Sequence, residues 1–155
     1  MPFSSRAFDT AGWALFAIGT ACIIAGGMVA AVTGPLDLAH GSWLAAYLVL
    51  VGGVGQCAMG AARLLAPARS SAAARGWTQV GAWNTGNALV IAGTLASLPL
   101  IVDLGGLVCM VGLAMALLHS RRLPGTWFSW PYRAVLALML VSIPVGLVLA
   151  HLRAA

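Results

Sequence analysis

The chain holds few side chains that can do acid–base or metal chemistry: of its 155 residues, three are acidic and three are histidine. Asp37 and His40 precede one long apolar run, Asp103 begins another, and His151 ends the last. Two imidazoles that face each other across a helical bundle suit axial ligation of a haem b iron, and His with Asp suits zinc or copper. We therefore treat His40 and His151 as candidate haem ligands, and all four residues as candidate metal ligands.

The same four residues also suit two roles that involve no bound cofactor. Polar side chains are expected at the ends of membrane-spanning helices, where they reach the headgroup region and need no ligand. Histidine also titrates near neutral pH, so the same positions suit proton transfer or pH sensing.

A second group of polar side chains lies inside the apolar runs: Gln56, Asn84 and Asn87. Asn84 and Asn87 are three residues apart and therefore share one face of a helix. An amide in hydrocarbon needs a hydrogen-bond partner, so these residues are expected to join helices to one another. Alternatively, they line a pocket for a quinone or another small molecule. No carboxylate or arginine lies deep in an apolar run, which argues against an ion-coupled transporter or a proton pump.

The sequence contains no catalytic motif that we recognise. There is no G-x-S-x-G, H-E-x-x-H or Walker motif, and the GGVG at 52–55 lies inside an apolar run, where it favours packing over phosphate binding. Cys22, Cys57 and Cys109 share no CxxC spacing and are interpreted as small buried residues. The sequence therefore predicts a non-enzymatic protein.

The composition shows what must position these residues. Hydrophobic residues make up 61% of the chain and charged residues 7%, which predicts a multi-pass membrane protein embedded in a lipid bilayer. The net charge of +5 comes from eight arginines in short connecting segments. Nucleic acid is not an expected partner, because no basic stripe alternates with aromatic residues. Arginine without lysine, beside abundant Ala and Gly, is typical of a GC-rich bacterial genome and predicts the bacterial inner membrane.

The apolar runs predict an all-α transmembrane bundle that forms one domain over residues 1–155. The block 78–118 would be about 60 Å long as one helix, twice the thickness of the hydrocarbon core. The segment SLPLIVDLGG near its centre contains Pro99 and a Gly pair, so we predict a turn there. The chain then has five helices, near 11–33, 40–65, 78–98, 100–118 and 132–151.

The distribution of arginine predicts the orientation of these helices. Arg6 precedes helix 1, three arginines lie at 63–75 around the connection of helices 2 and 3, three lie at 121–133 around that of helices 4 and 5, and only Arg153 follows helix 5. Since cytoplasmic loops carry the excess of positive charge, we predict a cytoplasmic N-terminus and an external C-terminus. Asp37, His40, Asp103 and His151 would then all lie on the outer side.

Small residues recur along the first two helices. Gly12, Gly19 and Gly26 are seven residues apart, and Gly52, Gln56 and Gly60 are four apart. Such faces let helices approach closely in lipid. They serve contacts within the chain, with a second copy, or with another membrane protein, and the sequence leaves these alternatives open.

Two stretches resemble part of a known family. AHGSWLAAYLVLVGGVGQCAMGAARLLAP, at 39–67, and WNTGNALVIAG, at 83–93, are similar to the second and third helices of haem-copper oxidase and nitric oxide reductase catalytic subunits. The resemblance implies that His40 ligates a low-spin haem and that Trp83, Asn84 and Gly86 belong to a packing motif. The further histidines that bind the family's high-spin haem and copper have no counterpart, so the resemblance implies a reduced relative without reductase activity.

These observations lead to three expected functions. The first is an accessory or assembly subunit of a larger, possibly respiratory, membrane complex. The second is a haem- or metal-binding electron-transfer protein that uses His40 and His151. The third is a small-molecule carrier that uses Asn84 and Asn87.

Overall fold

The computed structural model describes residues 9–66, 72–121, 123, 125 and 129–154. After residue 71, side chains are described for 74–121, 123, 125 and 129–144. All regular structure within these residues is helical, which confirms the all-α class. We number the five helices in chain order: α1 Thr10–Thr33, α2 Gly41–Leu65, α3 Ala72–Leu95, α4 Pro99–Ser120 and α5 Ser129–Ala154.

Local sequence explains where these helices begin and end. Asp9 caps α1, because its carboxylate accepts a hydrogen bond of 3.1 Å from the backbone N–H of Gly12. Pro99 is in the first turn of α4, where its missing N–H costs nothing. Ser97 takes a positive φ of 55° in the turn before it, so α3 ends at Leu95. The predicted break in the block 78–118 is therefore present.

Two predicted boundaries differ from the structure. Helix α3 spans Ala72–Leu95 where the sequence predicted 78–98, because alanine and arginine at its start favour helix and the turn before Pro99 takes the residues at its end. Helix α5 spans Ser129–Ala154, which is longer at both ends than the predicted 132–151.

Within the part of the chain that the structure describes, three helices are long and apolar enough to cross a membrane: α1, α2 and α4. Helix α3 has 24 residues and α5 has 26, so both have sufficient length. Insertion of all five helices and the orientation of the termini remain predictions.

Helices α1 and α2 form a hairpin in which glycines bring the two backbones together. A Cβ atom added at Gly19 would lie 2.9 Å from the carbonyl oxygen of Gly53 and 2.9 Å from the backbone nitrogen of Cys57. A Cβ added at Gly60 would lie 2.7 Å from the backbone nitrogen of Phe16. The small-residue faces therefore serve contacts within the chain at these positions.

Helices α3 and α4 form a second hairpin with an equivalent contact. A Cβ at Gly86 would lie 2.9 Å from the carbonyl oxygen of Gly105 and 2.7 Å from the backbone nitrogen of Cys109. In both hairpins a glycine of the first helix meets a Gly-x-x-x-Cys pair of the second. The two hairpins therefore repeat one packing contact.

Helix α2 is not uniformly α-helical. Its central segment, Leu48–Gly55, is π-helical, with Gly41–Tyr47 before it and Gln56–Leu65 after it in the α form. A π-helix closes i→i+5 hydrogen bonds and turns less per residue than an α-helix. The segment contains three glycines, 52, 53 and 55, which lack the side chains that would crowd a widened turn.

The two hairpins stand side by side and point the same way. Asp9 at the start of α1 and Gln79 near the start of α3 both contact Arg63 at the end of α2. The turns after α1 and α3 therefore lie together at the opposite end of the bundle. Helix α5 packs on α4, and its Met139 reaches Gly55 of α2.

Candidate functional site

A set of polar side chains joins the two hairpins across the middle of the bundle. The Tyr47 hydroxyl donates a hydrogen bond of 2.7 Å to Asn87 Oδ1, and Gln56 Nε2 donates one of 3.2 Å to Asn84 Oδ1. Both bonds run from α2 to α3. We call this set, with Trp83 beside the two asparagines on α3, the polar seam: Tyr47, Gln56, Trp83, Asn84 and Asn87.

The π-helical segment explains how Tyr47 and Gln56 both reach α3. In a regular α-helix, nine steps of about 100° would place these two residues half a turn apart, on opposite faces. The smaller rotation of the π segment between them brings both side chains towards α3. The prediction that 52–55 serves only packing omitted this effect.

The two asparagines are held so that their oxygens face α2. Asn84 Nδ2 donates to the carbonyl oxygen of Val80 at 2.9 Å, and Asn87 Nδ2 donates to that of Trp83 at 2.7 Å. The NH₂ group of each asparagine therefore donates to a backbone carbonyl four residues earlier on α3. The side-chain oxygen of each is left to accept a hydrogen bond from α2 in the other hairpin. Both asparagines therefore accept a hydrogen bond from α2, as expected for amides inside an apolar run.

Among the residues that the structure describes, two buried polar atoms of the seam have no hydrogen-bond partner: Gln56 Oε1 and Trp83 Nε1. Both side chains are 0% exposed. Almost all buried polar side-chain atoms in folded proteins are paired with protein or with ordered water, so these two atoms have capacity for a water molecule or a ligand. One atom is an acceptor and the other a donor.

The packing around Gly55, beside the edge of the Trp83 indole, leaves room for about one methyl group. A Cβ added at Gly55 would lie 3.4 Å from the carbonyl oxygen of Leu50, 3.7 Å from Cε of Met139 and 3.9 Å from Cζ2 of Trp83, all ordinary contact distances. The glycine is therefore not required by tight packing at this position, unlike Gly19 or Gly86. A gap about one methyl group wide separates α2, the indole and α5.

A second polar group, which we call the end cluster, lies where α1, α2 and α3 meet. It consists of Asp9, Arg63 and Gln79. Arg63 Nη2 lies 3.0 Å from Asp9 Oδ2, and Nη1 donates to Gln79 Oε1 at 3.2 Å. The Arg63 side chain is 3% exposed and that of Asp9 is 22% exposed. The sequence predicts nothing for Arg63 beyond its place in the basic stretch at the end of helix 2. Asp9, directly before α1, is the residue from which a cap could have been predicted.

The residues singled out as haem or metal ligands lie at the opposite end. His40 directly precedes α2 and is exposed, and Asp37 is exposed in the preceding turn with a φ of 47°. Asp103 is half-buried in the second turn of α4. The side chain of His151 lies outside the described residues. Among the side chains that are described, no three His, Cys, Asp or Glu are grouped as a metal site would require.

No family model matches this chain, and neither does any curated protein or solved structure. The resemblance of helices 2 and 3 to haem-copper oxidase subunits therefore stays a prediction. The polar seam and the packing of the two hairpins are the features from which a function can be inferred.

Proposed function

We propose that this chain is a non-enzymatic multi-pass membrane protein that binds a small, neutral, membrane-soluble molecule in the polar seam. The observation that carries the proposal is the pair of unpartnered atoms, Gln56 Oε1 and Trp83 Nε1. An unpaired polar group in a dry interior costs roughly 1–3 kcal/mol. A ligand that pairs with both atoms would recover that cost.

The position of the seam supports the same proposal. Membrane transporters built from two structural repeats bind their substrates near the bilayer midplane, between the repeats, beside interrupted helices. Here two hairpins share an equivalent Gly and Gly-x-x-x-Cys contact, and the seam lies between them beside a π-helical interruption. If the seam served only to hold the helices together, we would expect every buried polar atom in it to be paired. The two unpaired atoms therefore favour ligand binding over helix adhesion alone.

The accessory-subunit and haem-protein functions have less support. Gly19 and Gly60 pack inside the chain, so they give no reason to expect a partner protein. His40 is exposed, which leaves it poorly placed for a buried haem. Both functions, with the bacterial inner membrane as location, stay predictions.

Native mass spectrometry of the protein released from its membranes tests the proposal. We expect the wild-type protein to retain a small-molecule adduct, and Gln56→Leu to lose most of it because the acceptor is removed. Thr94→Val is the matched control: it removes a polar group from the same bundle, but the Thr94 hydroxyl bonds its own helix, at Val90.

The outcomes separate the possibilities. If Gln56→Leu retained the adduct to the same extent as the wild-type protein, the binding site would lie outside the seam. A wild-type protein that is released without any adduct, under conditions that preserve lipid contacts, would contradict the proposal.

A further inference from the structure

We propose that the seam opens when the two hairpins tilt against each other, so that the Tyr47–Asn87 hydrogen bond breaks while the end cluster stays intact. The inference rests on the proposed function and describes how a molecule reaches that site. The tilt separates α2 from α3 at the turn end, which we define as the end of the bundle that holds the turns after α1 and α3.

The structure describes the seam in a closed form. The side chains of Gln56 and Trp83 are 0% exposed, so neither water nor lipid reaches them. At Gly55, beside the edge of the Trp83 indole, the packing leaves room for about one methyl group. A larger molecule therefore binds in the seam only after the helices that line it have moved apart.

Each hairpin is tightly packed, so its two helices are expected to move together. In the half nearer the turn end, a Cβ added at Gly26 of α1 would lie 3.0 Å from the carbonyl oxygen of Ala45 in α2. One added at Gly93 of α3 would lie 2.8 Å from the backbone nitrogen of Val102 in α4. Backbones in such close contact leave no space into which one helix of a hairpin could shift relative to the other.

The two hairpins make their own close contact at the opposite end, beside the end cluster. A Cβ added at Gly76 of α3 would lie 2.7 Å from Cβ of Ala11 in α1 and would overlap the guanidinium of Arg63 in α2. Its three nearest atoms from other helices all belong to the first hairpin. The three nearest to Gly26, and the three nearest to Gly93, belong to their own hairpins. The hairpins therefore interlock at the end cluster and not at these two positions.

The polar contacts between the hairpins differ in strength in the same direction. In the end cluster, Arg63 is paired with the carboxylate of Asp9 at 3.0 Å. The Tyr47–Asn87 bond, nearer the turn end, joins two neutral groups. Hydrogen bonds that involve charged groups are the stronger class. The contact at Tyr47 is therefore expected to break before the contact at Arg63.

A tilt about the end cluster moves each residue in proportion to its distance from that cluster. Tyr47 is about 20 Å from Arg63 along α2, so a tilt of about 10° would move it by roughly 3.5 Å, enough to break its hydrogen bond. Gln56 is about half as far and would move about half as much. The seam therefore widens from the turn end towards Gln56.

The direction of the motion is tested by electron spin resonance distances in phosphatidylcholine nanodiscs. Nitroxides carried on p-acetylphenylalanine leave the three native cysteines unchanged. One pair replaces Leu36 and Leu100 at the turn end, and the other replaces Trp13 and Leu118 near the opposite end; all four are exposed. Each pair has one label on each hairpin.

Asn87→Phe acts as a wedge, because its ring is too large for the space in which the Tyr47 hydroxyl lies 2.7 Å from Asn87 Oδ1. We expect the turn-end distance to lengthen by about 3 Å or more and the distance near the end cluster to stay as in the wild-type protein. Thr94→Val, whose lost hydroxyl bonds its own helix at Val90, should change neither distance. Circular dichroism checks that each variant keeps its helix content.

The population of the open form is tested separately by hydrogen exchange of the Trp83 indole N–H, followed by NMR of ¹⁵N-labelled tryptophan. Trp83→Phe identifies this resonance among the six tryptophans. The N–H is protected by burial, so it exchanges only when the seam opens to water. Tyr47→Phe removes one hydrogen bond from the closed form alone and should speed this exchange roughly fivefold, whereas Thr94→Val should not change it.

Three results would overturn the inference. One is a folded Asn87→Phe protein whose turn-end distance is unchanged, and another is an equal lengthening of both distances, which would mean that the hairpins separate as a whole. The third is a Trp83 exchange rate that Tyr47→Phe leaves unchanged. A protein that moves as expected but is released without an adduct would contradict the proposed function, whereas one that retains the adduct without this motion would contradict only the present inference.

Discussion

At the scale of single residues, the chain concentrates its polar chemistry in two places, and the two are built differently. In the end cluster, Arg63 has its charge opposed by Asp9 and bound by Gln79. In the polar seam, the Tyr47 hydroxyl and three side-chain amides form hydrogen bonds without any charged group. Two further polar atoms of the seam have no hydrogen-bond partner among the described residues. The first arrangement joins three helices, and the second leaves one hydrogen-bond acceptor and one donor unpaired among the described residues.

The end cluster leads to a prediction about stability. Asp9→Asn should destabilise the protein by about 2 kcal/mol, because it leaves the nearly buried guanidinium of Arg63 without its counter-charge. Asp37→Asn, which makes the same change at an exposed position, should alter the unfolding free energy by less than about 0.5 kcal/mol. Thermal unfolding of both variants in nanodiscs gives the comparison. Equal changes in the unfolding free energy for the two variants would show that the Asp9–Arg63 ion pair does not stabilise the fold.

Several of these residues were visible in the sequence, but their partners were not. The apolar context of Gln56, Asn84 and Asn87 predicts that they find hydrogen bonds between helices, and they do. Nothing in the sequence states that Tyr47 pairs with Asn87, because that requires the rotation of α2 relative to α3. Trp83 and Gln56 are recognised as incompletely paired only once every neighbour is placed.

At the scale of elements, length, proline and glycine predict the helices well. The break near Pro99 and the end of α1 just before Pro35 follow from prolines, which cannot continue a helix. The π-helical segment Leu48–Gly55 could not be predicted in this way, since α and π windings share the same apolar composition. It is selected by contacts on two sides: Gly53 must meet Gly19 of α1, while Tyr47 and Gln56 must both face α3.

The glycine contacts yield a prediction about α1. Gly19→Ala should destabilise the α1–α2 hairpin by about 1–3 kcal/mol, because the new Cβ would overlap the backbone of Gly53 and Cys57. Gly27→Ala is the matched control on the same helix: a Cβ there meets nothing within 4 Å. Thermal unfolding and size-exclusion chromatography in detergent separate loss of fold from loss of a partner.

The outcomes at Gly19 bear on the accessory-subunit prediction. Loss of stability in the isolated protein is expected if the glycine serves only the hairpin. If Gly19→Ala instead left the unfolding temperature unchanged but released the protein from a larger assembly, the face would be an interface with another chain.

At the scale of the whole molecule, the bundle has a basic end and an opposite end that holds the turns after α1 and α3. The start of α1, the end of α2 and the start of α3 lie together at the end cluster. The end of α4 and the start of α5 are joined by a hydrogen bond from Arg133 to the Ser120 carbonyl. Exposed Trp77 and Trp130 lie near the starts of α3 and α5, where interfacial aromatic rings are expected.

The basic end is expected to face the cytoplasm, and this can be tested by reporter fusion. In the sequence, Arg6 precedes α1, three arginines lie at 63–75 and three at 121–133, and only Arg153 lies near the end of α5. A fluorescent protein, which matures in the cytoplasm, should be active after Gly125 and inactive after Ala155; alkaline phosphatase, which needs export, should give the reverse. Phosphatase inserted after Leu36, in the turn that follows α1, should also be active. Fluorescence from the fusion after Ala155 would mean that one of the five helices does not cross the bilayer. Helix α3, which carries the two asparagines of the seam, would then be the first helix to test.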